Sequence, residues 1–137
     1  MKNGWVSTQF GDVAKLVKGV SYASEDYCGQ GEGLVFLTIK CVSKAGGFKH
    51  KGIKYFKGKH LESQLIEGGE LLIANTDLTR AGDIIGAPIV VPSFDGSQVT
   101  MSMDLSKVVE NREKIDRQFL YYLLMTDLVR RFMKDHA

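Results

Sequence analysis

The sequence contains few of the residues and segments that build covalent links or membrane spans. Its 137 residues include two cysteines and two prolines, and no apolar run is long enough to cross a bilayer. Cys28 and Cys41 do not form a Cys-x-x-Cys pair, so we expect reduced thiols. The first residues lack the apolar stretch of a signal peptide. We therefore expect a cytoplasmic protein of one domain's length that makes no membrane contact.

Motifs of the common enzyme classes are also missing. The sequence has no G-x-x-x-x-G-K-[ST] phosphate loop and no G-x-S-x-G nucleophile elbow. The glycine-rich segment 29–33 precedes a predicted strand, whereas a dinucleotide site needs a helix N-terminus there. The three histidines have no His or Cys at metal-ligand spacing. The Asp/Glu-x-Lys pattern of many nucleases and the Asn/Asp-Pro-Pro run of amino-methyltransferases are absent too. We therefore expect no catalytic residue, metal or cofactor in this chain.

Acidic residues are absent from one long stretch, residues 40–61, which we call the lysine segment. It reads KCVSKAGGFKHKGIKYFKGKHL and contains seven lysines and two histidines. Of the eighteen Lys and Arg in the chain, seven lie here, so eleven remain elsewhere against all sixteen Asp and Glu. A basic patch on an otherwise acidic chain is typical of a polyanion site. We favour nucleic acid over a merely solvated basic loop.

A polar cluster lies between two apolar runs, Leu71–Ala74 and Ile84–Val91. Both runs are bounded by turn-forming residues and predict buried strands, which places the segment NTDLTR (75–80) at the turn between them. Its Asn, Asp and Thr side chains can simply hydrogen-bond the turn backbone. Because that interpretation leaves Arg80 unexplained, two others stay open: a binding loop, and a small enzyme site built on Asp77 and Arg80.

Hydrophobic periodicity divides the chain into a β-rich part and a helical end. Further strands are predicted at 33–42, 52–56 and 97–105, and a short helix or turn precedes a strand edge within 5–20. After the N-cap candidate Asp116, apolar residues recur at helical spacing and predict one long helix over 116–134. We predict an α+β fold with a β-rich domain over 1–110 and a C-terminal long helix within 111–137.

Four segments together resemble the target-recognition domain of a type I restriction–modification specificity (S) subunit. They are FGDVAKLVKGVSY (10–22), FLTIKCV (36–42) with GGF after it, GELLIANTDLTRAGDIIGAPIVVP (69–92), and SMDLSKV (102–108) leading to IDRQFLYYLL (115–124). The resemblance runs over nearly the whole chain and is carried by the order of these loose motifs.

The resemblance implies a role in DNA recognition. Such domains are β-rich, with coiled, mixed or antiparallel strands, and one S subunit carries two of them. Each reads one half of a split double-stranded DNA site and has no catalytic activity. Modification subunits bind S-adenosylmethionine and methylate adenine, and a restriction subunit uses ATP and Mg. The resemblance therefore implies DNA and both kinds of subunit as partners, and it places the cofactors on those partners.

This chain departs from the family in extent, because the second recognition domain and the spacer helices are missing. Segment 111–137 therefore looks like the truncated start of a spacer or helical hairpin. The predicted helix over 116–134 is apolar over a wide arc. We expect it to pair with another copy of the chain or with a modification subunit.

DNA contacts can be assigned by side-chain chemistry. Phosphate contacts are assigned to Lys44, Lys49, Lys51, Lys54, Lys57 and Lys59. For base contacts, Arg80 can donate twice to guanine and Asn75 can pair bidentately with adenine. Further candidates are Thr76 and Thr79 on the same turn, and Ser21 and Tyr22 on a neighbouring loop. An RNA-binding β domain, with Phe48 or Tyr55 stacked on bases, is the alternative interpretation.

Overall fold

The computed structural model describes residues 10–44, 46–76 and 84–135. Within these residues, the strands form two four-stranded sheets. The strands are β1 (Ala14–Lys18), β2 (Leu34–Leu37), β3 (Lys54–Phe56), β4 (Leu65–Ile66), β5 (Leu71–Ala74), β6 (Pro88–Val90), β7 (Val99–Met101) and β8 (Leu105–Glu110). The α-helices are α1 (Phe10–Val13), α2 (Arg117–Met125) and α3 (Asp127–Asp135). The predicted α+β class, with mixed and antiparallel strands and a helical C-terminal segment, is confirmed.

The first sheet has the strand order β1-β8-β5-β6 and is antiparallel throughout. Its strand β5 is buried at all four positions, which explains why its sequence is apolar without alternation. Leu72 and Ala74 pack into one core, and Leu71 and Ile73 pack into another. A strand that is buried on both faces requires a covering layer on each side.

Two different layers cover the faces of β5. On one face, Leu72 shares a core with Leu37 and Met101 of the second sheet. On the other face, Leu71 shares a core with Leu120 of α2. The first sheet therefore lies between the second sheet and the C-terminal helices.

The second sheet has the strand order β3-β2-β7-β4 and is mixed. Its central strands β2 and β7 are parallel, and β3 and β4 pair antiparallel at the two edges. Phe36 of β2 stacks on Phe56 of β3, with ring centroids 4.7 Å apart. The prediction that the strand within 52–56 lies at a sheet edge is confirmed, and its Lys54 is exposed there.

The predicted strand 33–42 is too long, because β2 ends at Leu37. A 3-10 helix, Ile39–Cys41, follows it. The Thr38 hydroxyl caps this helix by accepting the Lys40 N–H at 3.3 Å, and it donates to the Gly52 carbonyl at 2.8 Å. Side-chain bonds of this kind compete with a strand ladder, so the chain turns after β2.

The predicted strand 97–105 is also wrong in extent. Strand β7 ends at Met101, and residues 102–104 turn the chain into β8, which begins at Leu105. Strand β8 is central to the first sheet, where it pairs with both β1 and β5. The hydrophobic periodicity did not predict β8, because the buried positions of this strand include the polar residues Ser106 and Glu110.

The predicted single helix over 116–134 is two helices. Asp116 is the N-cap of α2, as expected, and its carboxylate accepts a backbone N–H of the first turn at 3.0 Å. Thr126 has an extended backbone and interrupts the helix. Its hydroxyl donates to the Leu123 carbonyl at 2.8 Å and accepts the Val129 N–H at 3.4 Å. The threonine thus ends α2 and caps α3.

A buried ion pair attaches α2 to the first sheet. Glu110 at the end of β8 has a side chain that is 1% exposed, and it pairs with the Nε of Arg117. The Nη1 of Arg117 also donates to the Gly69 carbonyl at 2.7 Å. Arg112 approaches the same carboxylate at 3.9 Å, but its side chain is 75% exposed. The predicted boundary after Glu110, between parts 1–110 and 111–137, stays a prediction.

We predict that Arg117→Ala lowers the free energy of unfolding by about 3 kcal/mol, because it leaves the Glu110 carboxylate buried without its partner. The control Arg112→Ala should cost less than about 1 kcal/mol, since the Arg112 side chain is exposed to solvent and lies 3.9 Å from the carboxylate. Urea unfolding followed by circular dichroism measures both losses. Equal losses would show that the Arg117 pair does not hold α2 on the sheet.

Candidate nucleic-acid interface

Residues 102–104, which we call the central turn, gather polar residues from two other parts of the chain. After β5, the Asn75 side-chain amide donates to the Met103 carbonyl at 3.1 Å, and its backbone N–H donates to the Asp104 carbonyl at 2.7 Å. The Thr76 hydroxyl donates to the Asp104 carboxylate at 3.1 Å. After β1, the Ser21 hydroxyl lies 3.7 Å from the Met103 sulfur. The structure therefore brings these predicted site residues together.

The hydrogen bonds of Asn75 and Thr76 determine what each can still do. One amide hydrogen of Asn75 is used by Met103, which leaves its second hydrogen and its oxygen for contacts with a base edge. The hydroxyl hydrogen of Thr76 is directed to Asp104, which leaves only acceptor capacity. In this arrangement Thr76 orients Asp104 and cannot donate to a phosphate.

Glycine at position 19 allows the segment after β1 to lie against the central turn. The Gly19 N–H donates to the Leu105 carbonyl at 3.0 Å, and the Val20 N–H donates to the Met101 carbonyl at 2.8 Å. A Cβ atom at position 19 would overlap the carbonyl oxygen of Ser102. Only glycine fits this approach of two backbones, and it places Ser21 beside the turn.

Tyr22 belongs to an aromatic cluster next to the central turn. Its ring meets Tyr27 edge-on at 5.6 Å and Phe36 at 5.4 Å. Burial raises the pKa of Tyr27 to about 12, and the hydrogen bond with Tyr22 and the charge of Asp104 add to this rise. Tyr22 and Tyr27 are half-buried. Through its ring contact with Phe36 of β2, Tyr22 connects the central turn to the second sheet.

The lysine segment is exposed at all seven of its lysines. They are Lys40, Lys44, Lys49, Lys51, Lys54, Lys57 and Lys59. Edge strand β3 and the 3-10 helices Ile39–Cys41 and His50–Gly52 carry three of them, Lys54, Lys40 and Lys51. Among the described residues, none of the seven forms a salt bridge. Their charges therefore remain directed to solvent, as phosphate binding requires.

Two of these lysines open onto one cleft. Lys40 and Lys54, from separate elements, line a cleft of about 550 Å³ together with Tyr27 and Tyr55. The ring of Tyr27 contacts that of Tyr22, which follows Ser21 beside Met103, so this cleft is connected to the central turn. Tyr27 thus links the lysines of the cleft to the residues around the central turn.

The aromatic residues of the lysine segment pack against the cores, and Tyr55 also lines the cleft described above. Phe56 is fully buried, and Phe48 and Tyr55 pack against the main core. The ring of Phe48 lies 6.4 Å from that of Phe94, which is itself packed on this core. The interleaved aromatics therefore hold the segment in place, and this lowers the support for base stacking by Phe48.

Part of the predicted site lies outside the described residues. Asp77, Thr79 and Arg80 fall in the gap between residues 76 and 84. The flanking strands β5 and β6 pair antiparallel, and the Gly86 N–H donates to the Ala74 carbonyl at 2.8 Å. The segment NTDLTR therefore belongs to the connection between two paired strands, as predicted.

Solved structures share the fold of this chain. The sequence itself matches no protein-family model and no curated protein. The HsdS subunit from Thermoanaerobacter tengcongensis matches with a TM-score of 0.66 and 18% identity, over 98% of this chain and 30% of that chain. This chain has the fold of part of an HsdS subunit. A chain from a study of complex assembly and conformational transition in the type I R-M system matches with a TM-score of 0.63 and 20% identity. That match covers 90% of this chain and 28% of that chain.

The HsdS fold agrees with the resemblance to a target-recognition domain of an S subunit. The chain spans less than a third of the length of either matched structure. Nearly the whole chain is covered by the HsdS match, so the central turn and the lysine segment both lie within the shared fold.

Sequence reasoning missed three residues of the candidate interface. Lys40 was counted in the lysine segment but was not assigned to phosphate, although its place in that segment was a sufficient signal. Tyr27 and Asp104 carried no signal, because only the fold places Tyr27 in the cleft with the lysines and Asp104 beside Thr76. Among the described residues, no group of three or more His, Cys, Asp or Glu side chains can hold a metal ion. No helix in the described ranges is long and apolar enough to cross a membrane.

We predict that Tyr27 ionises only near pH 12, since its pKa is raised mainly by burial. The folded state holds the phenol proton more tightly than the unfolded state, so stability should fall as pH rises from about 10 to about 12 and should not depend on this group below that range. Absorbance titration at 295 nm, compared with Tyr27→Phe, isolates this ionisation. A difference titration centred near pH 10 would contradict the prediction.

Proposed function

We propose that this chain recognises double-stranded DNA as one half-site reader of a type I R-M specificity subunit. In this role it directs an adenine methyltransferase and a restriction subunit, and it has no catalytic activity of its own. The observation that carries the proposal is the meeting of two groups at Tyr27. Tyr27 lines a cleft with the exposed lysines Lys40 and Lys54, and it contacts Tyr22, which follows Ser21 at the central turn where Asn75 is held. The HsdS fold supports this assignment.

The two groups suit the two parts of DNA recognition. Phosphate contacts fix the register of a protein on the duplex, and base contacts read its sequence. The lysines are flexible point charges without a described acidic partner, which suits phosphate. Asn75 is held by two hydrogen bonds and so presents its amide in a defined direction, which suits a base edge. Arg80 and Thr79 follow on the same connection, and we assign them to base or phosphate contacts.

The proposed role requires other subunits for the chemistry. Methylation would use S-adenosylmethionine on modification subunits, and cleavage would use ATP and Mg on a restriction subunit. We place the assembled enzyme in the cytoplasm, where its DNA substrate lies. The chain itself contributes the selection of sequence.

The alternative functions have less support. An RNA-binding domain would use exposed aromatic rings, but Phe56 is buried and Phe48 packs against the core. An enzyme site at Asp77 and Arg80 would need a carboxylate with a perturbed pKa in an enclosed pocket. Asp104, a described carboxylate that accepts a hydrogen bond from Thr76 of this connection, is only half-buried.

We predict that Lys51→Ala and Lys54→Ala weaken binding to every DNA sequence about equally. Each should also reduce the slope of log affinity against log salt concentration by about one unit, because one phosphate contact is lost. Arg80→Ala should instead change which sequence is preferred, because it removes a base contact. Selection from a randomised duplex library, followed by salt titration with a fluorescent duplex, measures both effects.

The matched control for the lysine variants is Lys114→Ala, which removes an exposed lysine outside the lysine segment. It should leave the salt slope unchanged. A slope reduced equally by Lys114→Ala would show that net charge alone drives binding. Unchanged affinity and sequence preference in Arg80→Ala would show that the connection is scaffold.

We also propose that the helices contact a second copy of the chain. Their outward surface, the outer helix face, consists of Phe119, Tyr122, Leu123 and Leu128, which are 60%, 60%, 39% and 79% exposed. An apolar surface of this kind is usually covered by a partner. Because these four side chains are uncharged, the face can pair with itself without burying an ion. A modification subunit is the other candidate partner.

Sedimentation equilibrium should show a dimer that forms with increasing concentration and is shifted to monomer by Phe119→Glu. The control Leu61→Glu changes another exposed apolar residue, away from the helices, and should leave the equilibrium unchanged. A strict monomer at high concentration would exclude self-association. Binding of the wild-type monomer to a modification subunit, lost in Phe119→Glu, would then identify that subunit as the partner.

A further inference from the structure

The tip of the lysine segment packs against the C-terminal helices. Between Val42 and Phe48, which form a bridge pair, the chain folds into a small hairpin. The Nη1 of Arg130 in α3 donates to the carbonyl oxygen of Lys44 at this tip, at 3.1 Å. A Cβ atom at Gly46 would lie 2.7 Å from the Met125 methyl group. The hairpin is therefore in close contact with both helices.

The same helices also contact the connection between β5 and β6. Gly86 lies at the end of this connection, where its N–H donates to the Ala74 carbonyl at 2.8 Å. A Cβ atom at Gly86 would lie 2.5 Å from the sulfur of Met133 in α3. Helix α3 therefore touches the lysine segment at one point and the connection that contains NTDLTR at another.

We infer that Met125, Arg130 and Met133 are positioning residues for DNA specificity, which set the placement of both proposed DNA-contacting segments without touching DNA. This inference rests on the proposed function. Close-packed contacts do not deform gradually, so a displaced helix displaces the backbone that it touches. Base readout requires positions held within a fraction of an ångström, whereas phosphate attraction tolerates larger shifts. A change at these contacts should therefore alter sequence preference.

Two neighbouring glycines provide a matched test. Gly46 and Gly47 have φ angles of +87° and +90°, so alanine strains the backbone similarly at both. A Cβ atom at Gly46 meets Met125 and the Tyr121 hydroxyl, whereas a Cβ atom at Gly47 has nothing within 4 Å. Gly46→Ala therefore adds a clash with the end of the Met125 side chain to the cost that Gly47→Ala also carries.

The readout is the sequence preference found by selection from a randomised duplex library. We expect Gly46→Ala to change the relative preference at one or more base pairs by about fivefold or more, the size of one lost base contact. Gly47→Ala should keep the wild-type preference. A variant that is merely less folded binds all sequences less and keeps its preference, so the ratio separates positioning from stability.

A double variant tests whether the clash with Met125 causes the change in sequence preference. In Gly46→Ala/Met125→Ala the shorter side chain removes the clash, so the double variant should regain the wild-type preference. Gly86→Ala, which meets Met133, should behave like Gly46→Ala. Its control is Gly96→Ala, which has a φ of +74° and open space around its Cβ position.

The outcomes distinguish this inference from the proposed function. A wild-type chain that selects no duplex sequence would overturn the proposed function, and the inference with it. A wild-type chain that selects a sequence, with Gly46→Ala and Gly86→Ala both keeping the same preference, would overturn the inference alone.

Discussion

The burial of both faces of strand β5 is the constraint on which the rest of this structure depends. Leu71 and Ile73 face the helices, and Leu72 faces the second sheet. Removing each of these side chains from water contributes roughly 1.5 to 3 kcal/mol. A strand enclosed in this way has no place for polar side chains along its length. Asn75 and the residues after it are therefore the first that can present polar groups, and they do so at the end of the strand, where the central turn meets them.

The same constraint determines where the helices lie. Because one face of β5 must be covered, α2 packs on it through Leu120 and Leu124. The buried pair of Glu110 and Arg117 fixes the start of α2 on the sheet. The break at Thr126 then redirects the chain, and α3 reaches the lysine segment through Arg130. The layer that completes the core is thus also the layer that contacts the proposed DNA-binding segments.

The elements that could be predicted from sequence are those whose signal is local. The apolar run at β5, the polar connection after it, and the lysine segment were all visible in the order of residues. Strand β8 was not, because its buried Ser106 and Glu110 break the apolar pattern and are explained only by distant partners. The break in the helix depends on the hydroxyl of Thr126, whose bonds become evident only in the folded chain. The site divides in the same way: its lysines could be predicted, but its organisation around Asp104 could not.

The charge of Asp104 determines which part of the proposed DNA surface can face the phosphate backbone. Its carboxylate accepts hydrogen bonds from Thr76 at 3.1 Å and from Ser102 at 3.3 Å, so it is held at the central turn. A fixed negative charge repels phosphate, whereas the lysines across Tyr27 attract it. A duplex on this surface would therefore place its backbone on the lysine segment. Base edges tolerate a carboxylate, which can accept from the amino group of cytosine. Charge alone thus divides the surface into a part that holds the backbone and a part, around Asn75, that can read bases.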